Sequence, residues 1–474
     1  MTDPARTAAV VLAAGAGSRF GGDKLLAKLA GRPLLDHVLG TIQDAGLRAT
    51  IVVVGPAAAE LEAIAMARDA RIVHNPRPDD GLSSSVRIGL AALTGTGPAD
   101  TLDAALVLLG DQPRTSSATI RALLAADVPE GRSIVIPRYT GGGGANPALL
   151  LRSAWPLAAE LQGDRGFGPL IHDHPELVVE VELSGDNPDV DTPTDLARIV
   201  EAAWADQVVA NREQVERIRE VPDGDFYAPV RSLFRADPTR TDDPVLAVLL
   251  AQVEPGDRWL DVGAGAGRFA LPIARELGPS GGGVVALDAS PSMLESLREI
   301  AAEHQIQNVR TVEARWPPAA GSALAAETAD VVLIAQVGYD VAEIGPFVDA
   351  LEAGARRACV AVLMERVPAS VADPFWPPVH DQARESLPAL AEFLELLQAR
   401  GRRARVERVS NDGRLFDSRA ALEGSVRRQL WIDPAGAKEA RFQAALDELA
   451  VETPGGWLIA DPAPNEIGVV TWRP

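Results

Sequence analysis

The sequence predicts an α/β protein made of two three-layer α/β/α domains in tandem. Three observations carry this expectation. The chain has 474 residues, too many for one ordinary domain. Short apolar, β-rich runs alternate with helical patterns along its first half, as in a mostly parallel sheet covered on both faces. Twice, at Ala8–Ala13 and Arg258–Val262, a buried-strand run opens directly into a glycine-rich loop, so one site per domain is expected.

Taken in order, Ala8–Ala13 reads as the first buried strand. Val10–Lys24 (VVLAAGAGSRFGGDK) carries it into a loop with glycines at 15, 17, 21 and 22 together with Arg19 and Lys24. Such a loop brings backbone N–H groups close to an anion, and the two cations can grip its charge. Leu34–Ala45 and Ala57–Arg68 read as helices around the strand Ala49–Val54, and Arg71–His74 as the next strand. The turn-rich stretch from Asn75 ends in Ser83, Ser84 and Ser85 before the helical pattern Ser84–Leu93; a helix cap explains one serine. Ala104–Leu109 reads as a strand leaving through Gly110-Asp111-Gln112-Pro113. Position alone leaves Asp111 open as a loop-closing residue or a metal-binding carboxylate. Ser116–Ala126 reads as a helix, and Ser133–Pro137 and Leu177–Leu183 as strands. Asn187-Pro-Asp189-Val-Asp191-Thr-Pro193 then places a carboxylate pair before a helix, by itself a capping turn. Ligands of open parallel sheets bind beyond the carboxyl ends of the strands, where the opening loop and Asp111 stand.

Composition limits the partners. The net charge is −21 and the pI near 4.8, which disfavours general binding to nucleic-acid backbone. No stretch approaches the roughly 20 uncharged apolar residues of a membrane helix, and MTDPARTA lacks an apolar signal core. The single cysteine, Cys359, sits in the apolar run CVAVLM; with no internal disulfide the expectation is a reducing cytoplasm and a buried thiol. Only Lys24, Lys28 and Lys438 are lysines, against 42 arginines. A compact ammonium over a phosphate is one reason to use Lys rather than Arg.

LAAGAGSRFGGDK, GDQP and DVDTPTDL together, in this order, resemble the motifs of the molybdopterin nucleotidyltransferase family, the MobA/MocA-like NTP transferases. Phe20 stands in the usual Met place of the first motif. The resemblance spans about residues 7–200. Within the family, Ala14 and Gln112 point to the cytidylyl branch and CTP, while the GGDK spacing keeps GTP open. The implied reaction is in-line attack of a substrate phosphate on the α-phosphorus of an NTP, releasing pyrophosphate, governed by positioning and charge neutralisation. The resemblance implies that Arg19 and Lys24 hold the triphosphate and that Asp111 coordinates Mg²⁺ with Asp189 or Asp191. It also implies that Ala13, Ala14 and Gly15, with the stretch holding Asn75 and Ser83, read base and ribose. Tyr139–Pro147 and Gln162–Gly166 stand where acceptor loops are expected, with Asn146 replacing the more usual His.

A helical pattern from Pro193 runs to about Glu220, and Pro222-Asp-Gly-Asp and the polar stretch Arg235–Pro244 follow. The expected organisation is a first domain over 1–203, a helical linker over 204–224 and a second domain over 225–474. In the second half Gly263, Gly265 and Gly267 open a helix to Leu277. The strand Val284–Leu287 then ends at Asp288, an acidic residue suited to ribose hydroxyls. Arg268 stands where a dinucleotide fingerprint needs its third glycine.

LDVGAGAGRF, VVALDAS and ADVVLIAQVGYDVAEIGPFV resemble class I S-adenosylmethionine-dependent methyltransferases, which implies a second Rossmann-like domain after a nucleotidyltransferase fold. By this resemblance Gly263, Gly265 and Gly267 flank the cofactor, Asp261 orders the loop or meets the amino group, Asp288 takes the ribose and Glu313 meets adenine. Gln336, Tyr339 and Asp340 stand where substrate contacts are expected. Trp376, Trp431 and Trp457 are core or pocket residues.

The expectation is a bifunctional cytoplasmic enzyme using Mg²⁺, CTP or GTP, and S-adenosyl-L-methionine, with molybdopterin as nucleotidyl acceptor and a small molecule as methyl acceptor. A sugar phosphate or other phosphorylated metabolite is the alternative nucleotidyl acceptor. A third reading is a cofactor-handling protein with a non-catalytic second domain, serving a molybdoenzyme or its chaperone.

Overall fold

The computed structural model describes residues 2–15, 17, 19–94, 102–164, 166–221, 234–319, 321–322, 327–411, 415–460 and 465–474. They form two compact units, Met1–Ala197 and Arg198–Pro474.

The first unit runs β1 (Thr7–Ala13), the small hairpin β2 (Lys28–Leu29) and β3 (Arg32–Pro33), α1 (Leu34–Asp44), β4 (Ala49–Val54), α2 (Ala59–Ala67), β5 (Arg71–His74) and α3 (Leu82–Leu93). It continues through β6 (Ala104–Leu109), α4 (Ser117–Ala125), β7 (Ile134–Tyr139), β8 (Ala148–Leu151), α5 (Gly168–Asp173) and β9 (Val178–Leu183). Seven strands form one sheet in the order β5-β4-β1-β6-β8-β7-β9. All pairs are parallel except those of β8, which is antiparallel to β6 and β7. Every residue of β1 is buried, because alternate side chains feed opposite layers. Ala9, Val11 and Ala13 pack with Leu35, Leu39 and Ile120, whereas Ala8, Val10 and Leu12 pack with Val86, Leu90 and Trp155.

The second unit takes in most of α6 (Pro193–Ile218), then α7 (Pro244–Leu250), β10 (Arg258–Val262), α8 (Ala270–Leu277), β11 (Gly283–Asp288), α9 (Pro291–Glu303), β12 (Val309–Glu313), β13 (Ala329–Ala335), α10 (Ile344–Gly354) and β14 (Ala355–Met364). It closes with α11 (Trp376–His380), α12 (Leu390–Ala399), β15 (Arg405–Asn411), α13 (Arg419–Gln429), α14 (Glu439–Leu449), the hairpin β16 (Ala450–Thr453) and β17 (Gly456–Ile459), and β18 (Asn465–Trp472). Its main sheet has the order β12-β11-β10-β13-β14-β18-β15. Only β18 runs antiparallel to its neighbours. Trp259, Val331, Val360 and Val469 pack beneath α7, α8 and α9. A separate core joins Ile218, Phe375, Trp376, Phe416, Leu422 and Phe442, with Trp457 packed against it. Cys359 is fully buried, which pushes its thiol pKa up. No helix among the described residues is long and apolar enough to cross a membrane.

The structure departs from the sequence expectation at three elements. β8 is an added antiparallel strand, and β15 and the β16–β17 hairpin are strands that the sequence patterns did not name. The expected linker over 204–224 is, as far as Ile218, part of the continuous helix α6, and it packs within the second unit. Trp204 Nε1 donates to Val341 O at 2.9 Å and Gln214 Nε2 to Ala383 O at 2.7 Å. Trp204, Val208, Asn211 and Ile218 are buried at helical spacing, so one face of α6 is core rather than spacer. The turn from Pro222 lies outside the described residues.

Candidate active sites

In the first unit three distant segments meet beyond the ends of β1 and β6. Lys24 follows the glycine loop, and the neighbouring Leu25 is buried in the core and anchors it. Gly110 N–H donates to Leu12 O at 3.0 Å; a Cβ at Gly110 would stand 3.2 Å from that same oxygen, so the two strand exits lie side by side. Lys24 Nζ donates to Asp111 Oδ2 and, at 3.2 Å, to Asp191 Oδ1. Arg19 Nη1 lies 3.1 Å from Asp191 Oδ2. Val190 N–H donates to Asp111 O at 3.0 Å, and Gln112 Nε2 donates to Asp189 Oδ1 at 2.7 Å. Arg19, Lys24, Asp111, Asp189 and Asp191 therefore come together beyond the strand ends.

Burial opposes the charge on Lys24, but the Asp111 and Asp191 carboxylates more than offset it and hold its pKa above the usual lysine value. Desolvation by the surrounding loops, then the charges of Asp111 and Asp191, push the Asp189 carboxyl up against the Gln112 hydrogen bond, although part of the residue faces solvent. Surplus negative charge with Lys24 as its internal counter-ion, and hard oxygen donors, fit a divalent cation. Among the described residues no three acids, histidines or cysteines form a ready ligand cage. The residues present thus suit an ion that completes its shell with phosphate oxygens and water.

The loops expected to read the nucleoside divide. Ala13 and Ala14 are buried, and Gly15 is exposed with open space around its missing side chain. Asn75 is instead fully buried. Its Nδ2 donates to Ser84 Oγ at 2.8 Å and Ser85 Oγ at 2.9 Å, and its Oδ1 accepts from Arg77 N–H at 2.9 Å. Its amide is consumed in bracing the turn into α3. Ser83 is also buried: its N–H donates to Gly163 O at 3.1 Å, and its Oγ has no partner among the described residues. Asn146 O accepts from Tyr139 OH at 3.2 Å and from Asn187 Nδ2 at 3.3 Å. Arg165 lies outside the described residues. Sequence reasoning missed Asn187, which is buried between Asn146 and Thr115; only its place beside Asp189 signalled it.

In the second unit Gly263, Gly265 and Gly267 turn the chain from β10 toward α8. Gly263 has φ +75°, and a Cβ there would lie 2.4 Å from Val337 Cγ2; no atom of the described residues beyond the chain neighbours stands within 4 Å of one at Gly265. Gly265 N–H donates to Asp288 Oδ2 at 2.8 Å and Ser290 N–H to Asp288 Oδ1 at 2.8 Å. Asp288 and Glu313 are register partners at the ends of β11 and β12. Asp261 is 2% exposed and its Oδ1 has no partner among the described residues; burial, then the Asp288 charge, pushes its pKa up to about 7. An orphaned buried carboxylate oxygen, open space at Gly265 and the Asp288 carboxylate fit a ligand carrying an ammonium group and ribose hydroxyls. Tyr339 OH donates to Gln336 Oε1 at 2.8 Å and accepts from Met364 N–H at 2.8 Å. Tyr339 and Gln336 thus tie the exits of β13 and β14 together, and Asp340 is exposed.

Comparisons with known proteins agree with this division. The MobA-like NTP transferase domain profile matches residues 9–178, and a methyltransferase domain profile matches residues 253–368. The bifunctional protein GlmU of Acidovorax ebreus is 36% identical over 146 residues, which is 28% of this chain and 29% of GlmU. The match thus spans under a third of that protein. Nicotine blue oxidoreductase of Paenarthrobacter nicotinovorans is 32% identical over 210 residues, 42% of this chain and 98% of that protein. The crystal structure of Rv0371c from Mycobacterium tuberculosis H37Rv is similar at 30% identity, covering 42% of this chain and 98% of that one, with a TM-score of 0.37. With one relative matched over 98% of its length, the NTP-transferase profile matched over residues 9–178, and the acids and lysine gathered beyond the strand ends, the chain belongs to the MobA-like NTP transferase family and joins to it a methyltransferase domain.

Proposed function

We propose that the chain is a bifunctional transferase whose first unit moves a cytidylyl group from CTP to molybdopterin and whose second unit methylates a small molecule with S-adenosyl-L-methionine. The convergence of Lys24, Asp111, Asp189 and Asp191 carries the first half of this reading. Overall likeness does not carry it, because one relative is named an oxidoreductase. Asp111, with Asp189 or Asp191, would hold Mg²⁺, which when bound neutralises phosphate charge and polarises the α-phosphoryl group. Lys24 and Arg19 hold the triphosphate and balance the charge of departing pyrophosphate, while Gly15 leaves room for the nucleotide. The preference for CTP rests on Ala14, since Gln112 is occupied by Asp189. In the second unit Asp261 meets the ammonium group, Asp288 the ribose, and Gly263–Gly267 the chain between them.

Pyrophosphate release with Mg²⁺, molybdopterin and each NTP tests the first half. CTP should be best, and Asp111→Ala should reduce turnover at least about 100-fold. Equal or faster turnover with GTP rejects the base assignment, and full activity in Asp111→Ala rejects the metal role. Faster turnover with a sugar phosphate than with molybdopterin would replace the acceptor.

A further inference from the structure

We propose that Gln112 is a positioning residue for the carboxylate of Asp189 and does not read the nucleotide base. The inference rests on the nucleotidyl-transfer reading of this site. Gln112 is 2% exposed, so its side chain is turned into the fold. Its Nε2 donates at 2.7 Å to Asp189 Oδ1 and at 3.4 Å to Asn187 O. Among the described residues no donor holds Asp189 Oδ2. A neutral amide that occupies one oxygen fixes the carboxylate plane without taking its charge, and it leaves the other oxygen for a cation. An arginine or lysine in this place would instead compete with the metal.

The same turn is fastened at two further points. Val190 N–H donates to Asp111 O at 3.0 Å, and Thr115 Oγ1 donates to Asn187 Oδ1 at 3.3 Å. Because Gln112 follows Asp111 directly, one short turn sets both carboxylates. Asp111 points its oxygen to Lys24, and Gln112 aims Asp189 from the facing loop. Partners of this kind are worth about 10–100-fold in metal affinity or activity.

The test uses the full chain with Mn²⁺ as the probe ion. Mn²⁺ binding in the presence of CTP is followed by calorimetry and by the loss of the free-ion resonance signal. Gln112→Met removes the donor at similar volume and should weaken Mn²⁺ binding about 10-fold or more. The KM for CTP and the CTP-to-GTP ratio should stay within about twofold of wild type. In an Asp189→Asn background the same change should add little further loss, since both act through one carboxylate. Wild-type Mn²⁺ affinity in Gln112→Met, additive losses in the double variant, or a shifted CTP-to-GTP ratio would each overturn the inference alone. Failure of the wild-type chain to bind Mn²⁺ with CTP would overturn the nucleotidyl-transfer reading along with it.

Discussion

Under the proposed cofactor contact, the buried Asp261 would link stability to ligand binding. Its folded pKa of about 7 lies above the ordinary 3.8, so the ligand-free chain favours the protonated form. Stability from this group is therefore full below about pH 4 and is lost as pH rises toward 7. A ligand ammonium reverses that preference by favouring the carboxylate. Binding of S-adenosylhomocysteine should thus tighten up to about tenfold per unit between pH 6 and 7 and level off near pH 8. Asp261→Asn should flatten that dependence, and calorimetric titration across the range checks it. At this scale Lys24 and Asp111 were legible, because a motif carries their order and their chemistry needs charge. Asn75 was not: a polar residue after a strand is a ligand contact or a brace according to which hydroxyls fold over it, and Ser84 and Ser85 do so here.

Among the elements, α3 shows a constraint that composition hides. A Cβ at Gly89 would stand 2.4 Å from Val10 Cγ1 and 3.1 Å from Val53 Cγ2, so the helix lies directly on β1 and β4. Gly89→Ala raises intrinsic helix propensity by about 1 kcal/mol, yet overpacking of a well-filled core costs about 1–3 kcal/mol. The net expectation is a loss of first-unit stability, measured as a lower denaturant midpoint in its unfolding transition. The first unit's parallel strands were legible as short apolar, β-rich runs, whereas β12, with the sequence VRTVE at the sheet edge, was not. β8 was not, since ALLL at 148–151 is too short for its period to declare a strand. α6 misled through its charged residues: Trp204, Val208, Asn211 and Ile218 form a buried stripe between them, and a stripe needs a partner before it counts as core.

Across the whole molecule, each unit owns a seven-stranded sheet and its own hydrophobic core. The two chemistries should therefore be energetically separable. Asp111→Ala is expected to leave S-adenosylhomocysteine affinity within about twofold of wild type, and Asp288→Ala to leave pyrophosphate release equally unchanged. A larger cross-effect in either measurement would reveal a coupling free energy between the sites. By itself the sequence determined two α/β domains, their order, and the glycine loops and acids that follow their strands, because apolar periodicity and backbone freedom are local properties. Only the tertiary structure decided that Lys24 joins Asp111 and Asp191, that Gln112 serves Asp189, and that Asn75 and Tyr339 are spent inside the fold. Those are partnerships across as many as 167 residues, and the choice between contact and brace depends on which donor comes nearest after folding.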